Sequence, residues 1–192
     1  MLEELLTAIL MLFVVLDAPG NAPLFYFFTS HLDPSDRVKI IRKSVMVAFL
    51  ILLFFALVGD LVLKYFNITV DDFRIAGGTV LFIYAVLGLL GKTPAEEVKG
   101  EELAVVPLAT PLLAGPGAIT AVIYLKYTLG LVIVLVAIIV NMIIAWLMLE
   151  NGEKLLSMMG RSGSLVLSKI FAILLAAYSI AIIREGIMSW IS

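Results

Sequence analysis

The sequence lacks cysteine altogether and contains a single histidine among its 192 residues. Without cysteine, the chain can form no disulfide, no thiolate metal site and no cysteine nucleophile. Charged residues are also scarce, at 15%, and a net charge of −2 gives no basic surface for nucleic acid. Paired histidines, a Gly-x-Ser-x-Gly motif and a phosphate-binding loop are missing as well. We therefore expect no enzyme, no metal site, no organic cofactor and no nucleic-acid partner.

Long apolar stretches are what the sequence has in abundance. Hydrophobic residues make up 62% of the chain, and its mean hydropathy is +1.15, far above that of a soluble domain. A bilayer core requires roughly 20 mostly apolar residues per helix. We therefore predict an all-α integral membrane protein, with the lipid bilayer as its partner and residues 1–192 forming one transmembrane domain. The six predicted transmembrane helices lie near residues 3–29, 38–64, 72–91, 101–125, 130–149 and 165–190.

Lysine and arginine are unequally distributed between the two faces of the predicted membrane domain. One face carries nine of these residues and the other carries four. The positive-inside rule makes the nine-residue face cytoplasmic, which places both termini outside the cell membrane. The nine are Arg37, Lys39, Arg42, Lys43, Lys92, Lys99, Lys154, Arg161 and Lys169, and the four are Lys64, Arg74, Lys126 and Arg184.

Two of the predicted helices contain helix-breaking sequences. The first helix contains "LDAPGNAPLF" at residues 16–25, and the fourth contains "PLATPLLAGPGAIT" at residues 107–120. Proline lacks an N–H group and clashes with the preceding turn, while glycine allows backbone angles closed to other residues. Backbone groups freed in this way are tolerated in a membrane only where they line a cavity or a ligand. We therefore predict that helices 1 and 4 are interrupted near the bilayer midplane.

The two motifs lie 97 residues apart, with Ala18-Pro19-Gly20-Asn21 matching Gly115-Pro116-Gly117-Ala118. A weaker match, 95 residues apart, pairs Arg74-Ile75 with Lys169-Ile170. The chain therefore divides into repeats of about 1–95 and 98–192, each with three helices. Because three is odd, the repeats cross the membrane in opposite directions. Such inverted repeats with interrupted helices recur in secondary transporters.

The interruptions also predict a binding site between helices 1 and 4. Each starts a half-helix whose N-terminal N–H groups favour an anion, while Asp17 and Asn21 offer groups suited to an ammonium or a coupling cation. A site that combines these anion-binding and cation-binding groups suits a zwitterion such as an amino acid. The predicted substrate contacts are Asp17, Pro19, Gly20, Asn21, Thr110, Gly115, Pro116, Gly117 and Ala118, and the predicted contacts of a coupling Na⁺ or H⁺ are Asp17, Asn21 and Thr120.

These two motifs resemble those of the MarC family of integral membrane proteins, which includes the SnatA-type small neutral amino acid transporters. The likeness spans nearly the whole chain, including "FRIAGGTVLF" and "ILLAAYSIAIIREGI" in helices 3 and 6. The family's first motif usually reads Asp-Pro-x-Gly-Asn-x-Pro. Here Ala18 replaces its first proline, which leaves open which backbone carbonyl faces the site. The resemblance implies symport, or exchange, of small neutral amino acids such as glycine and alanine.

The sequence also allows other interpretations of the function and of single residues. A Pro-Gly motif can simply bend a membrane helix, so a scaffold without a transported ligand remains an alternative, as does a channel or passive facilitator for small solutes. Asn141 either joins helices by hydrogen bonding or contacts the substrate. Gly77 and Gly78 predict a face on which helices pack closely. Tyr178 can reach the predicted binding site, but the sequence does not require it there. The oligomeric state is open, a homo-oligomer included.

Overall fold

A computed structural model describes residues 2–29, 32–90, 102–157 and 160–191 of the chain. Residues 91–101, where the third predicted helix is followed by the fourth, lie outside this described part. The side chain of Pro23, in the first motif, lies outside it as well.

Every regular element in the described part is helical, as the apolar composition predicts. The elements are α1 (Leu2–Leu16), α2 (Ala18–Thr29), α3 (Pro34–Phe66), α4 (Val70–Leu89), α5 (Ala104–Leu113), α6 (Pro116–Leu129), α7 (Leu131–Ser157) and α8 (Gly160–Ile191). Segment α5 has the wider hydrogen-bond spacing of a π-helix.

Five helical stretches within the described residues are long and apolar enough to cross a membrane, and a sixth is added if α5 and α6 form one bent span. The segments α1 and α2 together supply the first stretch, which covers Leu2–Ala22. These results confirm the prediction of an all-α membrane protein, and the described residues provide five to six candidates for the six predicted spans. The inverted repeat, and the depth of the two motifs in a bilayer, stay predictions.

The pair formed by α4 and α8 is joined along its length. At one end, Ser189 Oγ donates a hydrogen bond to Asp71 Oδ2 at 2.9 Å. In the middle, a Cβ at Gly78 would lie 3.0 Å from the carbonyl oxygen of Ser179, so the helices approach as closely as glycine permits. At the other end, Lys169 Nζ donates to the carbonyl oxygens of Gly88 and Leu89 at 2.8 and 2.9 Å. This contact satisfies carbonyl groups that the end of α4 leaves without intrahelical partners.

The remaining helices pack around α3 and α7, which also contact each other. Asn141 of α7 is 2% exposed. Its side-chain amide donates to the carbonyl oxygen of Ile9 on α1 at 3.1 Å and to that of Ala137 at 2.9 Å. Asn141 therefore joins two helices by hydrogen bonding, which was one of the two roles considered for it.

Replacing Asn141 with alanine is expected to destabilise the protein by about 1 kcal/mol, the usual contribution of an interhelical hydrogen bond in membranes. Thermal unfolding of the purified variant in detergent measures the loss. Asn151→Ala is a matched control, because Asn151 lies on the same helix, is exposed, and donates only to Leu147 of α7 at 2.7 Å. Equal melting temperatures for the two variants would exclude a stabilising role for the Asn141–Ile9 contact.

The predicted orientation can be tested with single cysteines, because the chain has none of its own. Ser35 precedes the basic first turns of α3, Thr128 lies near the end of α6, and both side chains are exposed. A membrane-impermeant thiol reagent added to intact cells is expected to label Thr128→Cys and to leave Ser35→Cys unlabelled. Labelling in the opposite pattern would place the termini in the cytoplasm.

Candidate functional site

The first motif departs from a regular helix at one residue, Asp17, which lies between α1 and α2. Its φ is +43°, in the left-handed region that few residues other than glycine adopt. Backbone hydrogen bonds continue on both sides, from Asp17 N to Phe13 O at 3.1 Å and from Asn21 N to Asp17 O at 2.9 Å. The departure is therefore local, and α2 begins immediately after it.

The Asp17 side chain folds over the first turn of α2. Its Oδ1 accepts a hydrogen bond from the Gly20 backbone N–H at 3.1 Å, so the carboxylate caps the start of this helix. A Cβ at position 20 would overlap the carboxylate, lying 2.7 Å from Asp17 Cγ. Glycine at position 20 is thus required by the position of the Asp17 carboxylate.

The Gly20→Ala variant is expected to be no more stable than the wild type, because the loss of the Asp17 cap costs about 1 kcal/mol. In an ordinary helix, by contrast, alanine stabilises by roughly 0.5–1 kcal/mol over glycine. Here the methyl group displaces the Asp17 carboxylate from its hydrogen bond. Thermal unfolding of Gly20→Ala in the wild-type and Asp17→Ala backgrounds measures the coupling. Stabilisation by Gly20→Ala in the wild-type background would contradict the overlap.

The Asn21 side chain replaces a backbone hydrogen bond that is lost beside Asp17. In a regular helix, the Gly20 N–H would bond to the Leu16 carbonyl, but here it bonds to the Asp17 side chain. The Asn21 side-chain amide takes its place and donates to Leu16 O at 2.9 Å. Asn21 is 7% exposed, so this bond satisfies a buried carbonyl. The Leu16 carbonyl is therefore bonded within the protein, by a residue of the same motif.

A cavity of about 190 Å³ lies beside this motif, between α2 and α8. We call it the Asp17 cavity. Its polar wall is formed by Asp17, Gly20, Asn21 and Tyr178, and leucine side chains complete it. It therefore presents a carboxylate, a phenol and the first turn of a helix to one small volume.

The second motif is irregular over a longer stretch than the first. Val106 and Thr110, each of which precedes a proline, have extended backbone angles within α5, as expected from the clash between proline and the residue before it. Their peptide bonds to Pro107 and Pro111 are cis. A bend of 57° then separates α5 from α6.

A second cavity, of about 230 Å³, lies between this motif and α4. We call it the Thr110 cavity. Thr110, Pro111 and Pro116 line it on one side, and Gly77 lines it from α4. The Thr110 hydroxyl oxygen is buried and has no hydrogen-bond partner among the described residues. The Thr110 cavity therefore has mostly apolar walls, with the buried Thr110 hydroxyl behind them.

Helix α6 begins without a capping side chain, in contrast to α2. Gly115 is its N-cap, and Ile119 N donates to Gly115 O at 3.0 Å to form the first intrahelical bond. The Thr120 hydroxyl donates to Pro116 O at 2.7 Å within the same turn. Gly117 is exposed, and a Cβ there would lie 3.2 Å from Val15 Cγ1, two residues before Asp17. The uncapped N-terminus of α6 therefore lies close to the first motif.

The predicted substrate contacts thus fall into three places. Asp17, Gly20 and Asn21 share the Asp17 cavity, whereas Thr110 and Pro116 share the Thr110 cavity. The residues that line neither of these two cavities are Pro19, which is exposed, and Gly115, Gly117 and Ala118, which form the start of α6. A single site contacted by all nine residues stays a prediction.

Tyr178 is the polar residue of the Asp17 cavity that the sequence did not require. It lies on α8, more than 150 positions from Asp17, and no local motif marks it. The one sequence signal for it is its position within the predicted helix 165–190, from which it can reach the site. Only the packing of α8 against α2 settles which face of α8 meets the motif.

Comparison with known proteins gives matches over almost the whole chain. The model of the MarC family of integral membrane proteins matches residues 2–191. A UPF0056 membrane protein of Pyrococcus abyssi is 37% identical over 181 residues, which cover 92% of this chain and 90% of the relative. A UPF0056 membrane protein of Archaeoglobus fulgidus is 34% identical over 188 residues, covering 92% and 88%.

A bacterial relative extends these matches beyond the archaea. The UPF0056 inner membrane protein YhgN of Escherichia coli is 24% identical over 200 residues, which cover 98% of each chain. No solved structure matches the chain significantly.

Proposed function

Because this chain belongs to the MarC (UPF0056) family of integral membrane proteins, we propose that it is a secondary transporter of small neutral amino acids. In this proposal, glycine or alanine binds between the two motifs and moves with H⁺ or Na⁺. The transport involves no covalent chemistry, and the chain is not an enzyme. The observation that carries the proposal is the exposed Asp17 carboxylate, which lines a small open pocket between α2 and α8.

An aspartate in this position favours a functional role over a simple bend. A charged group within a membrane is costly unless it is paired, hydrated or protonated, and such groups mark ion and substrate pathways. The carboxylate can bind a substrate ammonium, a proton or Na⁺. A purely structural kink depends on backbone geometry alone, which an uncharged residue at this position would also provide.

The size of the Asp17 cavity favours a small substrate. Pockets for drug-sized ligands occupy about 300–1,000 Å³, whereas this cavity has about 190 Å³. Glycine and alanine have few non-hydrogen atoms and no large side chain to place. The cavity also lacks a basic side chain among its lining residues, which disfavours acidic amino acids.

The substrate carboxylate is assigned to the start of α6 in this proposal. The equivalent position in α2 is already occupied, since the Gly20 N–H bonds to Asp17. The start of α6 has no side-chain capping hydrogen bond among the described residues. Its N–H groups and the helix dipole favour a carboxylate. Gly117 lies against Val15, which keeps this anion-binding end close to Asp17.

An inverted repeat also fits the packing of the helices. Exchanging the two halves maps the contacts of α7 with α1 and α2 onto those of α3 with α5 and α6. The pairs α3–α7 and α4–α8 map onto themselves. The Asp17 cavity, against α8, corresponds to the Thr110 cavity, against α4. This correspondence supports alternating access by related movements of the two halves.

Reconstitution in liposomes tests the proposed function. Proton and sodium gradients are imposed separately, and labelled glycine or alanine uptake is measured against protein-free liposomes. Accumulation above equilibrium under one gradient is expected, with a limit of about 50-fold for one coupled charge at 100 mV. Entry that stops at equilibrium under both gradients would identify a passive facilitator instead. Absence of uptake under every condition would exclude these substrates.

A further inference from the structure

The Asp17 cavity has an open polar end and a closed apolar end. At the open end, Asp17 and Gly20 are exposed. One turn beyond Gly20 on α2, Leu24 lines the cavity and is only 8% exposed, and Leu175 lines it from α8 and is fully buried. The depth of the cavity therefore runs along α2, from the Asp17 carboxylate to Leu24.

Packed aromatic rings lie behind the closed end. Phe28 follows Leu24 by one turn, so it lies on the same face of α2, and it is buried. Its ring meets the Tyr84 ring of α4 edge to face, with the ring centres 5.8 Å apart, and its centre lies 5.1 Å from that of the Phe27 ring. A closely packed interior yields little to an added group. A ligand in the cavity must therefore fit the space that Leu24 leaves.

The position of the closed end decides which part of an amino acid would lie there. One Asp17 oxygen accepts from the Gly20 N–H, and a carboxylate has further acceptor sites for an ammonium group. The start of α6, where the substrate carboxylate is placed, lies against Val15. Because the helix continues through Asp17, Val15 and Leu24 lie on opposite sides of it along the helix. With its ammonium at Asp17 and its carboxylate toward Val15, an amino acid directs its side chain toward Leu24.

We propose that Leu24 and Leu175 form the side-chain subsite of this transporter, which accepts one methyl group and so selects alanine over both glycine and valine. The inference rests on the proposed function and names the residues that choose its substrate. The rise from Asp17 to Leu24 is roughly 10 Å. The Asp17 carboxylate folds into this interval from one side, and the leucine side chain points back into it from the other. A methyl group gains apolar contact there, whereas a branched side chain lacks room.

Calorimetry with glycine, alanine and valine on the purified protein tests this subsite. The wild type is expected to bind alanine about fourfold more tightly than glycine, the effect of burying one methyl group. Valine should bind about tenfold more weakly than alanine, because it overfills the closed end. Leu24→Ala enlarges that end and is expected to bind valine at least as tightly as alanine.

Leu12→Ala is the matched control. It makes the same truncation at a fully buried leucine of α1 that does not line the cavity, so it should keep the wild-type order of affinities. Leu174→Ala is a second test variant, because Leu174 lines the cavity from α8 but is 55% exposed. Its truncation should disturb folding less than that of Leu24 and should also raise the affinity for valine relative to alanine.

Two kinds of result separate this inference from the proposed function. If the wild type binds glycine as tightly as alanine, the subsite is wrong while amino acid transport stands. The same conclusion follows if Leu24→Ala keeps the wild-type order, or if Leu174→Ala keeps it where Leu24→Ala does not fold. If the wild type binds none of the three amino acids, the proposed function is itself overturned, and the subsite with it.

Discussion

Asp17→Asn is expected to reduce gradient-driven accumulation of glycine to the equilibrium level. Against an imposed gradient equivalent to 100 mV, this is a loss of up to about 50-fold in the final concentration ratio. A carboxamide can accept the hydrogen bond from the Gly20 N–H as well as the carboxylate does, so α2 keeps its cap. It carries no charge, however, and cannot bind a proton or balance Na⁺. The variant should therefore retain its fold and exchange labelled for unlabelled glycine without concentrating it.

Asp36→Asn is a suitable control for this measurement. It makes the same change at an aspartate whose partner is Lys39 at the exposed start of α3, and uptake should be unchanged. If Asp17→Asn still concentrates glycine to the wild-type ratio, Asp17 does not couple transport to the ion gradient.

Gly117→Val is expected to weaken glycine binding by at least about 100-fold, because charge-assisted hydrogen bonds to the substrate carboxylate are lost. The valine side chain would occupy the space in which the carboxylate approaches the start of α6. Because a Cβ at position 117 would already lie 3.2 Å from Val15 Cγ1, the folding of this variant is checked separately. Calorimetry on purified protein with an unchanged gel-filtration profile measures the affinity.

Tyr124→Val places the same side chain at an exposed position further along α6 and should leave binding intact. Near-normal affinity in Gly117→Val would place the substrate carboxylate elsewhere and leave the second motif with a purely structural role. The Asp17→Asn experiment measures accumulation, whereas the Gly117→Val experiment measures binding. The role of Asp17 in coupling and the role of the start of α6 in binding are therefore tested independently.

Much of the fold follows from the sequence because membrane helices are predictable from length and hydropathy alone. The predicted stretch 38–64 corresponds to α3 (Pro34–Phe66), and 72–91 corresponds to α4 (Val70–Leu89). The end of α3 is also marked locally, since Asn67 adopts the left-handed conformation common after helices. The start of α4 is marked by Thr69 and Asp72, which form a capping box.

Helices α7 and α8 differ from the sequence prediction at the polar end of α7 and the polar start of α8. The predicted helices 130–149 and 165–190 leave residues 150–164 between two membrane spans. Helix α7 instead continues to Ser157, and α8 already begins at Gly160. Hydropathy detects where a helix leaves the lipid, whereas glutamate, lysine and leucine are good helix formers in water as well. The charged residues therefore end the predicted membrane span without ending the helix.

The candidate site was only partly predictable. Asp17, Gly20 and Asn21 belong to one local motif, and their mutual contacts involve residues three to five positions apart. Such contacts are fixed by backbone geometry that the sequence encodes locally. The separation into two cavities, and the presence of Tyr178 in one of them, depend on which faces of distant helices meet. No spacing along a single helix contains that information.

The lysine contact between α8 and α4 has a mechanical consequence. Since Lys169 holds the end of α4 and Ser189 holds its beginning, the two helices resist sliding past each other. Helix α8 forms a wall of the Asp17 cavity, and α4 forms a wall of the Thr110 cavity. A joint displacement of α4 and α8 would therefore move one wall of each cavity at the same time.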